Sequence, residues 1–99
     1  MGNYFLTYKA VEDITKIYEY TYEFWSEKQA DLYYEELINY FQLLCENPYI
    51  GKNYTEIKSD IYGFTANKHI IFYRILNTKT IEIERILGTD MDLKNRMKE

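Results

Sequence analysis

The sequence predicts an α+β fold in which an N-terminal strand and an antiparallel helical hairpin pack on a three- to four-stranded antiparallel sheet, closed by a short C-terminal helix. Two stretches with helical periodicity come first, three β-rich runs follow, and almost no loop separates the helices. Helices and strands segregated along a chain, rather than alternating, build α+β layers. One proline, no glycine or serine cluster and no repeat predict a single domain over residues 1–99.

Asn3–Leu6 is a short apolar-rich run that reads as a strand, and Thr7 after it can cap the free N–H groups of a following helix. From Tyr8 to about Trp25, Val11, Ile14, Tyr18, Tyr22 and Trp25 recur at three- and four-residue steps with charged residues between them, the pattern of an amphipathic helix. Ser26 and Gln29 fit a capping box that opens a second helix. Its stripe is Ala30, Tyr33, Leu37, Phe41 and Leu44, thickened by Tyr34, Ile38 and Cys45, and Asn47-Pro48 ends it because proline cannot continue the ladder. Tyr49 to Asp60 lacks periodicity and reads as loop. Ile61–Ala66, His69–Leu76 and Thr80–Leu87 are rich in Ile, Phe, Tyr and Thr and form an antiparallel meander. The middle strand is apolar on both faces, so the hairpin covers one and the C-terminal segment or a second chain covers the other. In the last strand Ile81 and Ile83 alternate with Glu82 and Glu84 until the polarity swaps at Arg85-Ile86, which predicts a β-bulge. Asp90 to Glu99 reads as one short charged helix.

Composition excludes several classes of function. The 99 residues carry 12 Lys and Arg against 16 Asp and Glu, a net charge of −4, so no global positive field draws in nucleic acid and no direct sequence-specific nucleic-acid binding is expected. A lone Cys45 cannot close an intramolecular disulfide, and with a lone His69 it cannot supply a structural zinc site. Neither a signal peptide nor an apolar span begins the chain, which predicts a cytoplasmic location without membrane contact. Twelve tyrosines are the outlier, and tyrosine sits half in a core and half at an interface.

Catalytic chemistry finds little purchase. His69 alone titrates near neutrality, Cys45 lies on a buried helix stripe where a thiol behaves as a small hydrophobe, and the scattered glycines build no phosphate cradle. No catalytic residue, metal or cofactor is expected. The only arginines, Arg74, Arg85 and Arg96, cluster in the C-terminal third. Arg74 stands inside a central apolar strand, where it must find an acidic partner or reach an edge, and Glu82 and Glu84 on the next strand supply candidate partners.

Ala10-x-x-Asp13-Ile14-x-x-Ile17, Gln29-Ala30, Asn47-Pro48-x-x-Gly51, His69-Ile70-Ile71-Phe72-Tyr73-Arg74, Arg85-Ile86-Leu87, Met91-Asp92 and Arg96 occur in this order across nearly the whole chain. Together they resemble the ParE branch of the ParE/RelE superfamily of toxin–antitoxin modules, also known as plasmid stabilisation systems. The resemblance implies a toxin that inhibits DNA gyrase by binding, without catalysis of its own, and that a cognate antitoxin neutralises. On it, Tyr18, Trp25, Tyr73 and Arg74 are assigned to antitoxin contact, and Arg85, Met91, Asp92 and Arg96 to the target. A homodimer and a toxin–antitoxin hetero-oligomer both fit. Two alternatives accompany it. A ribosome-dependent mRNA endonuclease of the RelE kind requires Lys52, Lys58, Arg74 and Arg85 to converge with Tyr73 or Tyr62, although Ile61-Tyr62-Gly63-Phe64 lacks the arginine that such nucleases, and many ParE-like relatives too, usually carry. An inactive relic binds antitoxin alone. Gly88 also departs from relatives that place histidine after the Arg-Ile-Leu strand.

Overall fold

Each helix starts where the sequence supplies a cap. In the computed structural model, which describes residues 2–98, β1 (Asn3–Leu6) leads into α1 (Tyr8–Phe24), whose first turn is closed by the Thr7 hydroxyl accepting from the Ala10 N–H at 3.0 Å. Helix α2 (Glu27–Glu46) opens on the Ser26 hydroxyl, which accepts from the Gln29 N–H at 3.0 Å. The return arm of the expected capping box is replaced, because the Ser26 N–H donates to the Thr21 carbonyl at the end of α1. That bond holds the hairpin turn shut.

β2 (Lys52–Asn53), β3 (Tyr62–Ala66), β4 (His69–Asn77) and β5 (Thr80–Gly88) follow, and α3 (Leu93–Arg96) ends the described chain. The sheet runs in the order β1-β5-β4-β3-β2. Two expectations are corrected here. The sheet has five strands, because two residues of the expected loop pair with β3, and it is mixed, because β1 lies parallel to β5. A two-residue strand has no periodicity to read, and the partner of β1 lies more than 70 residues away, beyond any local signal. The tail helix is also shorter than expected; Glu99 lies outside the described residues.

The polarity swap in the last strand is a bulge, as expected. Arg85 pairs with Phe72 and Ile83 with Tyr73, so Glu84 is the extra residue between them. Ile86 thereby returns to the side of Ile81 and Ile83. On that side they pack with Ile71, Tyr73, Leu37, Phe41 and Leu44 under the hairpin. The opposite face carries Ile61, Ile70, Phe72 and Leu87, covered by Tyr54 and Ile57 of the loop and by Leu93 and Met97 of the C-terminal segment. Each fully buried Ile, Leu or Phe contributes about 1.5–3 kcal/mol, so both layers matter to stability.

The stripe expected on α1 is rotated. Ala10 and Ile14 are buried and Ile17 packs against the core, whereas Val11, Tyr22 and Trp25 face solvent, Trp25 being 73% exposed. Spacing alone could not choose between two adjacent apolar stripes on one helix. No helix among the described residues is long and apolar enough to cross a membrane.

Candidate functional site

β5 continues from Glu84 to Gly88 past the end of β1, and α1 supplies what the missing neighbour strand would have given. The Thr7 hydroxyl donates to the Glu84 carbonyl at 2.8 Å, and the Asp13 carboxylate accepts from the Ile86 N–H at 3.0 Å. The same carboxylate takes Arg85 bidentately, with Nε at 2.7 Å and Nη2 at 2.9 Å. Arg85 Nη1 donates to the main-chain carbonyl of Arg96 at 2.7 Å. One guanidinium, 6% exposed, therefore ties α1, the sheet and the C-terminal segment together. Bidentate charge-assisted bonds are directional as well as strong, so they fix the position of the segment.

Beside this anchor lies a hollow of about 440 Å³ lined by Asp13, Lys16, Ile17, Tyr20, Thr21, His69, Ile86, Leu87, Asp90, Met91 and Arg96. Three of the four residues assigned to target contact meet around it. Met91 is 40% exposed on its rim, Arg96 lines it, and Arg85 stands behind it. Asp92 is exposed and caps α3, accepting from the Asn95 N–H at 3.4 Å. Burial corrects the reading of Arg85, whose guanidinium is spent on Asp13 and Arg96 and presents almost no surface.

His69 lines the hollow with its Nδ1 2.6 Å from the Tyr33 hydroxyl. Burial holds the Tyr33 phenol up at about 12, so it stays protonated; its hydroxyl also donates to the Ala66 carbonyl at 3.5 Å, and which of Tyr33 and His69 donates to the other follows the imidazole tautomer. Burial also lowers the His69 pKa below 6.5, partly offset by Asp90 and Asp13. In the unfolded chain the imidazole titrates near 6.5, so between the two values the unfolded state binds the extra proton. Stability is therefore complete above about pH 6.5 and declines as pH falls from there toward the folded value. Urea midpoints compared between pH 7.5 and pH 5 check this, with His69→Gln as the reference; equal pH slopes for the two proteins contradict it. Cys45 lies twelve residues along α2 from Tyr33, roughly 18 Å on helical rise, so thiol and imidazole are held apart.

The residues assigned to antitoxin contact do not form one surface. Tyr18 and Trp25 stand on α1, and the Tyr18 hydroxyl donates to Asp31 of α2 at 2.6 Å, which holds that phenol up at about 12. Arg74 lies on the far face of the sheet, with its Nε 3.6 Å from Glu84, which also takes Lys58 at 2.8 Å. The acidic partner expected for Arg74 is thus found on the neighbouring strand. Tyr73 is corrected outright as a surface anchor. It is 0% exposed beneath the hairpin, where its hydroxyl donates to the Pro48 carbonyl at 2.8 Å and accepts from the Gly51 N–H at 3.1 Å.

A second depression of about 580 Å³ runs along the hairpin beside β1, lined by Tyr4, Leu6, Val11, Ile14, Thr15, Tyr18, Asp31, Tyr34 and Ile38. Sequence reasoning gave no role to Asp13 or to this groove. A carboxylate beside buried Ile14 and an arginine in an apolar strand were the available signal for Asp13.

Residues 4–93 match the family described as ParE toxin of type II toxin-antitoxin system, parDE. Toxin ParE1 of Mycobacterium tuberculosis is 31% identical over 96 residues, covering 97% of this chain and 98% of that protein. Toxin ParE1 of Caulobacter vibrioides is 27% identical over 94 residues, covering 95% of this chain and 96% of that protein. A chain of a solved structure titled as the chromosomal ParDE TA system from P. aeruginosa superposes with a TM-score of 0.76 at 18% identity, over 91% of this chain and 97% of that one, which shows the shared fold. With the profile spanning both the hairpin and the sheet, the chain belongs to the ParE toxin family of type II toxin–antitoxin systems.

Proposed function

We propose that this toxin, acting as one domain over residues 1–99 in the cytoplasm, inhibits DNA gyrase by binding and is neutralised by a co-encoded antitoxin. The observation that carries the target reading is the anchor through Arg85, which holds the C-terminal segment so that Met91 and Arg96 border one hollow with an apolar floor. Partly exposed apolar and arginine side chains around such a hollow are the usual makings of a binding hot spot. Arg85 serves as a positioning residue, and contact falls to Met91, Asp92 and Arg96.

The geometry does not favour mRNA cleavage. The cations that an RNase would use are already engaged, with Lys58 and Arg74 meeting on Glu84, Arg85 buried against Asp13, and Lys52 over the Tyr54 ring at 5.0 Å. Tyr73, one of the two tyrosines that reading requires, is buried on the opposite side of the sheet from Arg74.

A gyrase supercoiling reaction with the purified chain, with and without excess antitoxin, tests the reading. Lost supercoiling with trapped linear DNA, reversed by antitoxin, is the expected result. Absence of any effect from folded protein, together with normal growth on expression, leaves the inactive relic. Arg96→Ala keeps the main-chain carbonyl that Arg85 uses, so it should fold normally yet need about tenfold more protein for half-inhibition. Unchanged inhibition removes Arg96 from the contact.

A further inference from the structure

Met91 carries chemistry that contact alone does not use. Its side chain is 40% exposed on the rim of the hollow, whereas Met97 packs against the layer of Ile61, Ile70, Phe72 and Leu87. The Met91 N–H donates to the Gly88 carbonyl at 3.1 Å, which closes the turn after β5. A Cβ at Gly88 would lie 3.5 Å from both Cγ and Cε of Met91, so the thioether joining those carbons is laid along backbone that bears no side chain. His69 stands across from Gly88 on β4, and Ile17, Ile86 and Leu87 continue the apolar floor. Cys45, the one thiol of the chain, is buried under the hairpin, and burial pushes its thiol up, so it forms little of the thiolate that oxidants attack.

We propose that Met91 is a reversible oxidation site, at which hydrogen peroxide converts the thioether to a sulfoxide that weakens target contact and a methionine sulfoxide reductase restores it. The inference rests on the reading that Met91 touches the target. The sulfur attacks one peroxide oxygen, forming an S–O bond as the O–O bond breaks. Sulfur gives up two electrons, and the departing hydroxide takes the proton of the transferred oxygen and leaves as water. Reversal consumes two thiols, which become a disulfide while the oxygen departs as water. The sulfoxide sets a polar, chiral group where the hollow offers apolar surface, and burying its oxygen against a partner without a donor costs binding.

The test treats the full chain with hydrogen peroxide, removes the oxidant with catalase and reads each methionine by mass spectrometry of a digest. Met91 should oxidise about fivefold faster than Met97, in line with its exposure. The treated chain should need about tenfold more protein for half-inhibition of gyrase supercoiling. Its urea midpoint should be unchanged, and the two reductases that act on the sulfoxide epimers, supplied with dithiothreitol, should return the original dose. Met91→Leu, compared only with itself before and after peroxide, should show no change in dose. Equal oxidation of Met91 and Met97, or full inhibition by chain oxidised at Met91, overturns the proposal and leaves the gyrase reading standing. A loss that Met91→Leu shares, that the reductases do not reverse, or that follows a fallen urea midpoint overturns it as well, by assigning the effect to other residues or to unfolding. Failure of the untreated, folded chain to inhibit gyrase overturns both.

Discussion

Asp13→Ala is expected to destabilise the protein by about 3–5 kcal/mol, the cost of removing one partner from a buried ion pair. Three donors lose their acceptor at once, namely Arg85 Nε, Arg85 Nη2 and the Ile86 N–H. The guanidinium stays behind, buried and charged. Against a total stability of about 5–15 kcal/mol, that loss is a large fraction of the folding free energy. Urea denaturation followed by circular dichroism reads the shift, and a loss under about 1 kcal/mol would show that solvent already screens the pair. The double variant Asp13→Leu/Arg85→Met distinguishes stability from positioning. Hydrophobic replacement of both partners should restore most of the folding free energy. Growth arrest should not return with it, because the bond from Arg85 to the Arg96 carbonyl is gone.

Tyr73→Ala should cost a similar amount, about 3–5 kcal/mol, through the cavity left under the hairpin. The ring stacks on Tyr62 at 5.7 Å and is among the largest wholly buried side chains. Tyr73→Phe separates the hydroxyl from the ring. It should cost about 1–3 kcal/mol, since the Pro48 carbonyl and Gly51 N–H lose their partner while packing survives. Burial holds the Tyr73 phenol up at about 12, so this bond persists at any pH where the protein is used. Cleavage at the exposed Tyr49 and Ile50 should accelerate in Tyr73→Phe, because the hydroxyl is what fastens the loop down. A variant as stable and as protease-resistant as the wild type would show that the loop is held by other contacts. Gly51 belongs to the same device, for a Cβ there would strike the Tyr73 hydroxyl.

Local features of the fold were legible because local physics sets them. Thr7 and Ser26 start helices through their own hydroxyls, and the broken alternation at Glu84 marks its bulge in the one-dimensional pattern. The parallel partnership of β1 with β5 was not legible, because nothing between Leu6 and Thr80 encodes which edge the first strand joins. The site was half legible. Met91, Asp92 and Arg96 fall together because they are neighbours in sequence, whereas the role of Arg85 depends on Asp13, 72 residues earlier. Tyr73 misled for a related reason. Period-two alternation states which residues share a face, yet it does not state which face the hairpin will cover.

The closure of β5 by Thr7 and Asp13 also governs when the protein comes into being on the ribosome. Synthesis proceeds from the N-terminus, at about 5–20 residues per second, and domains fold as units once their partners are available. Here the earliest elements, β1 and α1, have their bonding partners in β5, which is made last but for α3. A hairpin emerging alone has no strand to cover, and its Asp13 carboxylate has no guanidinium to receive. The sheet edge that β1, Thr7 and Asp13 close is therefore completed only when translation is nearly finished, and a product truncated before β5 lacks it.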